Sequence, residues 1–272
     1  MEDIKNRNVY LTKMSKTFFD KAWFMSHIPE EIDTFIDFGC ADGSFMKFLQ
    51  SNCPSFKYFG VDNDPYFVRK TEENGFRCHT SLDFYKNGHG GIDRDKTCLI
   101  LSSVLHEIYS YSNSTGFWNE VAKLNPKYIA IRDMMFIKNK NVCTDGIEYI
   151  FKKYFEKQFL EFKEIWLDRH DIDFEQSADF YTHFMLKYIY NNENWKREVK
   201  ENYLPLTSKQ IVEKSWYLGY EIDFEDHYKL PYLVNRWKAD FHLDIDHCYT
   251  RNLKEFINSI STHVKILLRR NI

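Results

Sequence analysis

The 272-residue chain carries 37 Lys and Arg against 40 Asp and Glu, a formal net charge of −3, so its overall charge gives no drive toward nucleic acid or an anionic membrane. Six cysteines without a Cys-x-x-Cys pair argue against a zinc knot or a redox motif. No apolar run approaches membrane-spanning length and no basic-then-apolar leader opens the chain, so a soluble, cytoplasmic protein with reduced thiols is expected.

In chain order, Met14, Phe18, Ala22 and Met25 recur at helical spacing, with Phe19 and Trp23 beside them and Asp20-Lys21 on a polar side. From Thr34 to Leu49 an apolar, β-prone run ends at Asp37. The chain then passes Gly39, Ala41 and Gly43 before an amphipathic pattern resumes with Phe45, Met46, Phe48 and Leu49. That is a strand, a small-residue bend and a helix start. Glycines let backbone approach a ligand closely, and a helix N-terminus offers N–H groups to it, so a nucleotide-type ligand is expected. A second short strand, Lys57 to Val61, ends at Asp62, followed by Asn63, Asp64 and Pro65. A carboxylate about twenty residues beyond the glycines is placed to accept hydrogen bonds from ribose hydroxyls.

The spacing separates two cofactor classes. A dinucleotide fingerprint would need small residues at its first, third and sixth positions, here Gly39, Ala41 and Ser44, and a strand still apolar where Asp37 stands. The stretch instead resembles motif I of the class I S-adenosylmethionine-dependent methyltransferases, Asp/Glu-x-Gly-x-Gly-x-Gly. Asp37, Gly39 and Gly43 match it, and Ala41 replaces the middle glycine. The resemblance implies S-adenosyl-L-methionine as cofactor and S-adenosyl-L-homocysteine as product. It places Asp37 at the methionine portion, backbone of Gly39, Cys40, Ala41 and Gly43 along it, Asp62 on the ribose and Asn63 beside the adenine. It also makes the segment before motif I a lid over the pocket; a helix packed on the sheet edge fits the same pattern.

A third strand is predicted from Phe76 to Thr80. By the resemblance, the loop that follows brackets the adenine through Leu82, with Asp83 receiving its amino group. Thr97 to Leu101 is an unbroken apolar run, the mark of a central parallel strand covered on both faces. It ends at Ser102-Ser103, where the resemblance sets the meeting of methyl and acceptor. Ser114-Thr115 cap a helix bearing Phe117, Val121 and Leu124, and Tyr128 to Ile131 form strand five, ending in Arg132-Asp133. Strand and helix alternate five times, which makes the fold α/β and doubly wound.

Between Gly146 and Gly219 there is no glycine, and long aromatic helices are expected over Gly146 to Leu167 and Ser177 to Tyr203. A further helix, Lys209 to Leu218, precedes strand six at Tyr220 to Tyr228, and Thr262 to Arg270 reads as strand seven. The expected layout is a lid over 1–33, a cofactor core over 34–137, a helical insertion after strand five over 138–206 that caps the acceptor, and a closing part over 207–272 with a small insertion near 231–261. The seven-stranded, mostly parallel sheet with a final antiparallel hairpin is what the resemblance implies.

A sulfonium already activates its methyl, so holding an acceptor in line and excluding water is most of the work. His106 and Glu107, just past strand four, are candidate bases for an acceptor that must lose a proton. Arg132 and Asp133 are candidates to bind a charged acceptor. The cluster His242-Leu243-Asp244-Ile245-Asp246-His247 alternates its ligand types, and no metal site is assigned. The resulting expectation is a methyltransferase acting on a small molecule, with neither nucleic acid nor membrane as partner. RNA or protein methylation, an NAD(P)-dependent oxidoreductase and a non-catalytic nucleotide-binding protein of the same fold stand as alternatives.

Overall fold

The structure, a computed structural model, describes residues 15, 17–85, 91–135, 144–169, 178–190, 192–203, 205–245 and 247–271. Met14, most of 1–16 and Asp246 therefore lie outside the described residues. The chain divides into two compact units. One holds Met134–Ser208 and His227–His263; the other holds the described residues up to Asp133 with Lys209–Asp226 and Val264–Ile272.

Seven strands form one sheet: β1 (Thr34–Phe38), β2 (Lys57–Val61), β3 (Arg77–His79), β4 (Thr97–Ser102), β5 (Tyr128–Met134), β6 (Tyr220–Tyr228) and β7 (His263–Arg270), in the order β3-β2-β1-β4-β5-β7-β6. The first five run parallel. Arg270 at the exit of β7 donates its N–H to Lys127 at the entry of β5, and Asn271 donates to Gly219 just before β6. β7 is therefore antiparallel to both neighbours. Every residue of β4 is buried, as a strand flanked by β1 and β5 and covered on both faces should be.

Short helices connect the parallel strands: α1 (Phe18–Lys21) ahead of β1, α2 (Ser44–Asn52) between β1 and β2, α3 (Pro65–Glu73) between β2 and β3, then α4 (Leu105–Tyr111) and α5 (Ser114–Leu124) between β4 and β5. Winding reverses between β1 and β4, because β2 and β3 lie on one side of β1 and β4 and β5 on the other. In an open α/β sheet, that reversal leaves a crevice beyond the strands' carboxyl ends. Gly60 of β2 lets the neighbouring layer approach: a Cβ there would meet Cys40 Sγ at 2.7 Å and Cys78 Sγ at 3.1 Å.

β5 runs on to Met134, past the expected end at Ile131, because Arg132 and Asp133 are buried with their polar groups bonded. Phe24, on the 3₁₀ turn Ala22–Ser26 that follows α1, is fully buried, its ring 5.7 Å from that of Phe35.

The other unit is helical: α6 (Ile147–Arg169), α7 (Ala178–Lys187), α8 (Asn192–Glu198), and, after α9 (Ser208–Tyr217) of the sheet unit, α10 (Pro231–Asp240) and α11 (Cys248–Ser259). Its core is aromatic. Phe184 packs on Phe151 at 4.8 Å and Phe159 at 5.0 Å, and Phe241 on Tyr188 at 5.1 Å. The single long helix expected over Ser177 to Tyr203 is two helices, with Ser177 outside the described residues. The break at Tyr188–Tyr190 is stabilised because Gln158 Nε2 donates to the carbonyls of Tyr188 (3.1 Å) and Tyr190 (3.3 Å). α6 is also interrupted, at Phe155, whose backbone is non-helical.

Candidate functional site

The bend after β1 is built from residues in the left-handed region: Gly39 (φ 77°), Ala41 (49°) and Gly43 (77°). A Cβ on Gly39 would lie 2.9 Å from Val104 Cγ2, so any side chain there would meet both a disfavoured backbone and a neighbour. Ala41 accepts the left-handed conformation at a cost of about 1 kcal/mol, which explains why the motif tolerates it in place of glycine.

The bend spends its N–H groups on itself. Those of Gly39 and Cys40 both donate to the Val61 carbonyl (2.8 and 3.1 Å), and that of Gly43 donates to Cys40 O (3.0 Å). Ala41 N–H donates to Asp62 Oδ2 at 3.0 Å, and Ser44 N–H to Asp42 Oδ1 at 3.0 Å. The helix N-terminus expected to offer unpaired N–H groups to a ligand is thus largely satisfied from within. Cys40 turns its thiol inward, 3.5 Å from Cys78 Sγ and 3.6 Å from Thr71 Oγ1.

What remains without a hydrogen bond is acceptor-rich. Gly39 is exposed and its carbonyl takes no hydrogen bond among the described residues; nor does the carboxylate of Asp37, which is only 4% exposed. Burial, reinforced by the nearby Asp62 charge and opposed by Lys21, pushes Asp37 up to about 7. Asp62 is pushed up to about 6 by burial, against the pull of the N–H groups of Asp64 (2.9 Å) and Ala41 that hold its two oxygens. A carboxylate has about four lone-pair sites, so those two bonds leave Asp62 room for further donors. A diphosphate would find few donors here and several negative charges. A cation with hydroxyl donors nearby would find what it needs.

Of the other residues picked from sequence, Asn63 is exposed next to Asp62, and Leu82 is wholly buried, so its side chain faces the interior. Asp83 heads the loop after β3, its N–H bonded to Ser81 Oγ (3.1 Å) and its carboxylate 4.0 Å from Lys123 Nζ. At the end of β4, the Ser102 hydroxyl is buried with no hydrogen-bond partner among the described residues. Ser103 is left-handed (φ 58°), a departure from preferred backbone of the kind that gathers at functional sites.

Asp133 organises the next turn. Its Oδ2 accepts the N–H groups of Val104 (2.9 Å) and Leu105 (2.7 Å), and its Oδ1 lies 2.8 Å from His106 Nδ1. Asp133 therefore caps α4 and fixes the His106 ring, and it does not reach out to an acceptor. Arg132 is likewise engaged, donating from Nη1 to Ser103 Oγ (2.7 Å) and from Nε to Asp20 Oδ2 (2.9 Å). Glu107 is half-buried and its charge acts on both Lys21 and Asp62.

One site residue escaped the sequence reading. Lys21, on what looked like the polar side of a surface helix, is 6% exposed, and its Nζ stands 5.9 Å from the Phe45 ring centroid. Burial, with Arg132 nearby, lowers it to about 8 against the opposing pull of Asp37. The flanking Asp20 anchors the segment by pairing with Arg132 (2.7 Å) and Lys265 (2.8 Å). Nothing in the local sequence distinguishes Lys21 from a solvated lysine.

No protein-family model and no curated protein matches the chain. Among solved structures, the plantazolicin methyltransferase BpumL in complex with SAH superposes with a TM-score of 0.50 at 10% identity, over 99% of this chain and 92% of that one. The fold is that of the class I methyltransferases. PKMT2 from Rickettsia typhi gives a TM-score of 0.48 at 14% identity over 93% of this chain, which spans only 52% of PKMT2's length. A methyltransferase structure of bacterial CtHen1 gives 0.49 at 10% identity, over 94% of this chain and 97% of that one. At 10% identity, the superposition on BpumL speaks to the fold alone.

Proposed function

We propose that the chain is an S-adenosylmethionine-dependent methyltransferase acting on a small molecule. The observation that carries the cofactor choice is the bend whose N–H groups are spent internally, while the buried Asp37 carboxylate and the exposed Gly39 carbonyl take no hydrogen bond among the described residues. Those acceptors suit the ammonium of an adenosyl amino acid, and Asp62 suits its ribose hydroxyls. When bound, the sulfonium supplies an activated methyl group.

The chain's own residues then have three tasks. Asp37, Gly39 and Asp62 orient the cofactor, and the buried end of β4 keeps water from the reacting centre. Asp133 sets the tautomer of His106: with the proton on Nδ1 and donated to Asp133, the lone pair is on Nε2, where it can take a proton from an acceptor hydroxyl or amine. The net charge of −3 favours a small acceptor over nucleic acid.

Incubating the protein with methyl-labelled S-adenosylmethionine and fractionated cell extract tests this reading. Label is expected in the small-molecule fraction and not with Asp37→Asn. Label confined to precipitated RNA or protein would reassign the acceptor, and no transfer in any fraction would count against the activity.

A further inference from the structure

The helical unit carries a groove of about 710 Å³ that the cofactor reading does not use, a size within the roughly 300–1,000 Å³ common for small-molecule sites. One wall is α10, whose Asn235, Lys238 and Ala239 share a helix face with His242 just beyond its end. The other is α11, through Lys254, Ile257 and Asn258, and Leu243 and Asp244 from the connection between the helices complete the lining. Both walls are anchored in the unit's core. Trp237 is fully buried and donates from Nε1 to the Met185 carbonyl (3.0 Å), while Leu253 and Phe256 fix α11 by complete burial. The connection is tied to α10 by the Leu243 N–H, which donates to Lys238 O (2.9 Å), and to α11 by Thr250 Oγ1, which donates to Ile245 O (2.7 Å). The groove therefore exists before a ligand arrives, which keeps the ordering cost of binding low.

Its chemistry is cationic. Lys238 on one wall and Lys254 on the other form no ion pair or side-chain hydrogen bond among the described residues. Lys229 Nζ, which donates to the Asn258 carbonyl (2.9 Å), adds a third ammonium beside the lining. Asp244 is the one acid among the described lining residues, and Asp240 of α10 is taken by Arg236 (3.1 Å) and the Tyr188 hydroxyl (2.8 Å). A protein of net charge −3 thus gathers an excess of positive charge round one recess, where like charges repel until an anion enters. Leu243 and Ile257, 2% and 3% exposed, contribute apolar surface, and the Asn235 and Asn258 amides offer further donors.

We propose that this groove binds a small organic anion, its carboxylate or phosphate taken by Lys238 and Lys254 and its apolar body resting on Leu243 and Ile257. The site shares no residue with the bend after β1, and the inference does not depend on the cofactor reading.

Four probes titrated into the intact protein and followed by ligand-detected NMR separate the two halves of the site. Phenyl phosphate and benzoate carry an acid on an apolar ring, inorganic phosphate lacks the ring, and benzyl alcohol lacks the charge. At least one ring acid is expected to bind roughly tenfold or more tightly than both inorganic phosphate and benzyl alcohol, and the better of the two identifies the acid group. The double variant Lys238→Gln/Lys254→Gln should lose about tenfold or more of that affinity, while saturating S-adenosylhomocysteine leaves it unchanged. Lys238→Gln alone, at an exposed position, gives the comparison at about threefold or more should the double variant fail to fold, and thermal unfolding reports which variants are native. Ring-acid binding that survives these substitutions, or that S-adenosylhomocysteine displaces, overturns the site. So does equal affinity for inorganic phosphate or benzyl alcohol, or a folded wild-type protein that binds neither ring acid.

Discussion

Replacing Asp37 by Asn tests whether the central carboxylate is held at a cost in the ligand-free protein. An acid whose folded pKa is raised binds its proton more tightly folded than unfolded, so its contribution to stability falls as pH rises from the unfolded value through the folded one. For Asp37 the interval runs from 3.8 to about 7. At 1.36 kcal/mol per unit, the ionised group costs about 4 kcal/mol above that window. Asn carries no such cost, but it also deprives Lys21 of the neighbour that favours its charge. Without that neighbour Lys21 gives up its proton at lower pH than in the wild type, which relieves its burial cost as pH rises and changes the gap between variant and wild type in the same direction. The gap should therefore widen in favour of Asp37→Asn by at least roughly 2–3 kcal/mol from pH 5 to pH 8. Urea titrations at the two pH values, followed by circular dichroism, measure it. A gap independent of pH, or one that grows in favour of the wild type, would show that Asp37 ionises freely and refute the reasoning.

The same group reverses sign for binding: affinity for S-adenosylhomocysteine should fall up to tenfold per pH unit below about 7 as Asp37 takes its proton, which calorimetry across pH 5 to 8 would record. Asp62→Ala removes the brace on Ala41 and Asp64 together with the ribose acceptor, and should weaken that ligand at least tenfold; unchanged binding would take Asp62 out of the site. Asp133→Ala leaves two backbone N–H groups and the His106 ring without their acceptor, a loss of about 3 kcal/mol or more in denaturant unfolding. Asp133→Asn should recover much of that stability while methyl transfer stays impaired, because an amide facing Nδ1 does not fix the same tautomer. Gly39→Ala should cost about 2 kcal/mol, from a left-handed alanine and a Cβ 2.9 Å from Val104 Cγ2, and a melting temperature equal to wild type would contradict the crowding.

Much of the sheet was legible in sequence because burial on both faces writes an unbroken apolar run, as in Cys98 to Leu101, and small residues mark the bend where side chains do not fit. Polar residues misled where tertiary partners satisfied them. Arg132 and Asp133 read as the end of β5, yet Asp20, Ser103 and the start of α4 supply the partners that let the strand continue through them. The break after Lys187 escaped notice for a similar reason, since Gln158, 30 residues earlier than Tyr188, stabilises it. At the candidate site, spacing is what singles out Asp37, Gly39 and Asp62 as proposed ligands, whereas the pairing of His106 with Asp133 joins residues 27 apart with no local signal. Lys21 is the clearest case: a lysine beside Asp20 on a helix reads as solvated, and only the surrounding fold buries it. The direction of the bend's N–H groups was equally invisible, since glycine spacing records that the backbone turns and says nothing about which carbonyl receives each proton.

The most direct test of the account is a calorimetric titration of the native protein with S-adenosylhomocysteine and, separately, with NAD⁺. Both carry adenosine, but one brings an ammonium to the bend and the other a diphosphate. The predicted result is one molecule of S-adenosylhomocysteine bound per chain and no heat with NAD⁺. Binding of NAD⁺ with equal or greater affinity, or silence toward S-adenosylhomocysteine from a protein shown to be folded, would contradict it.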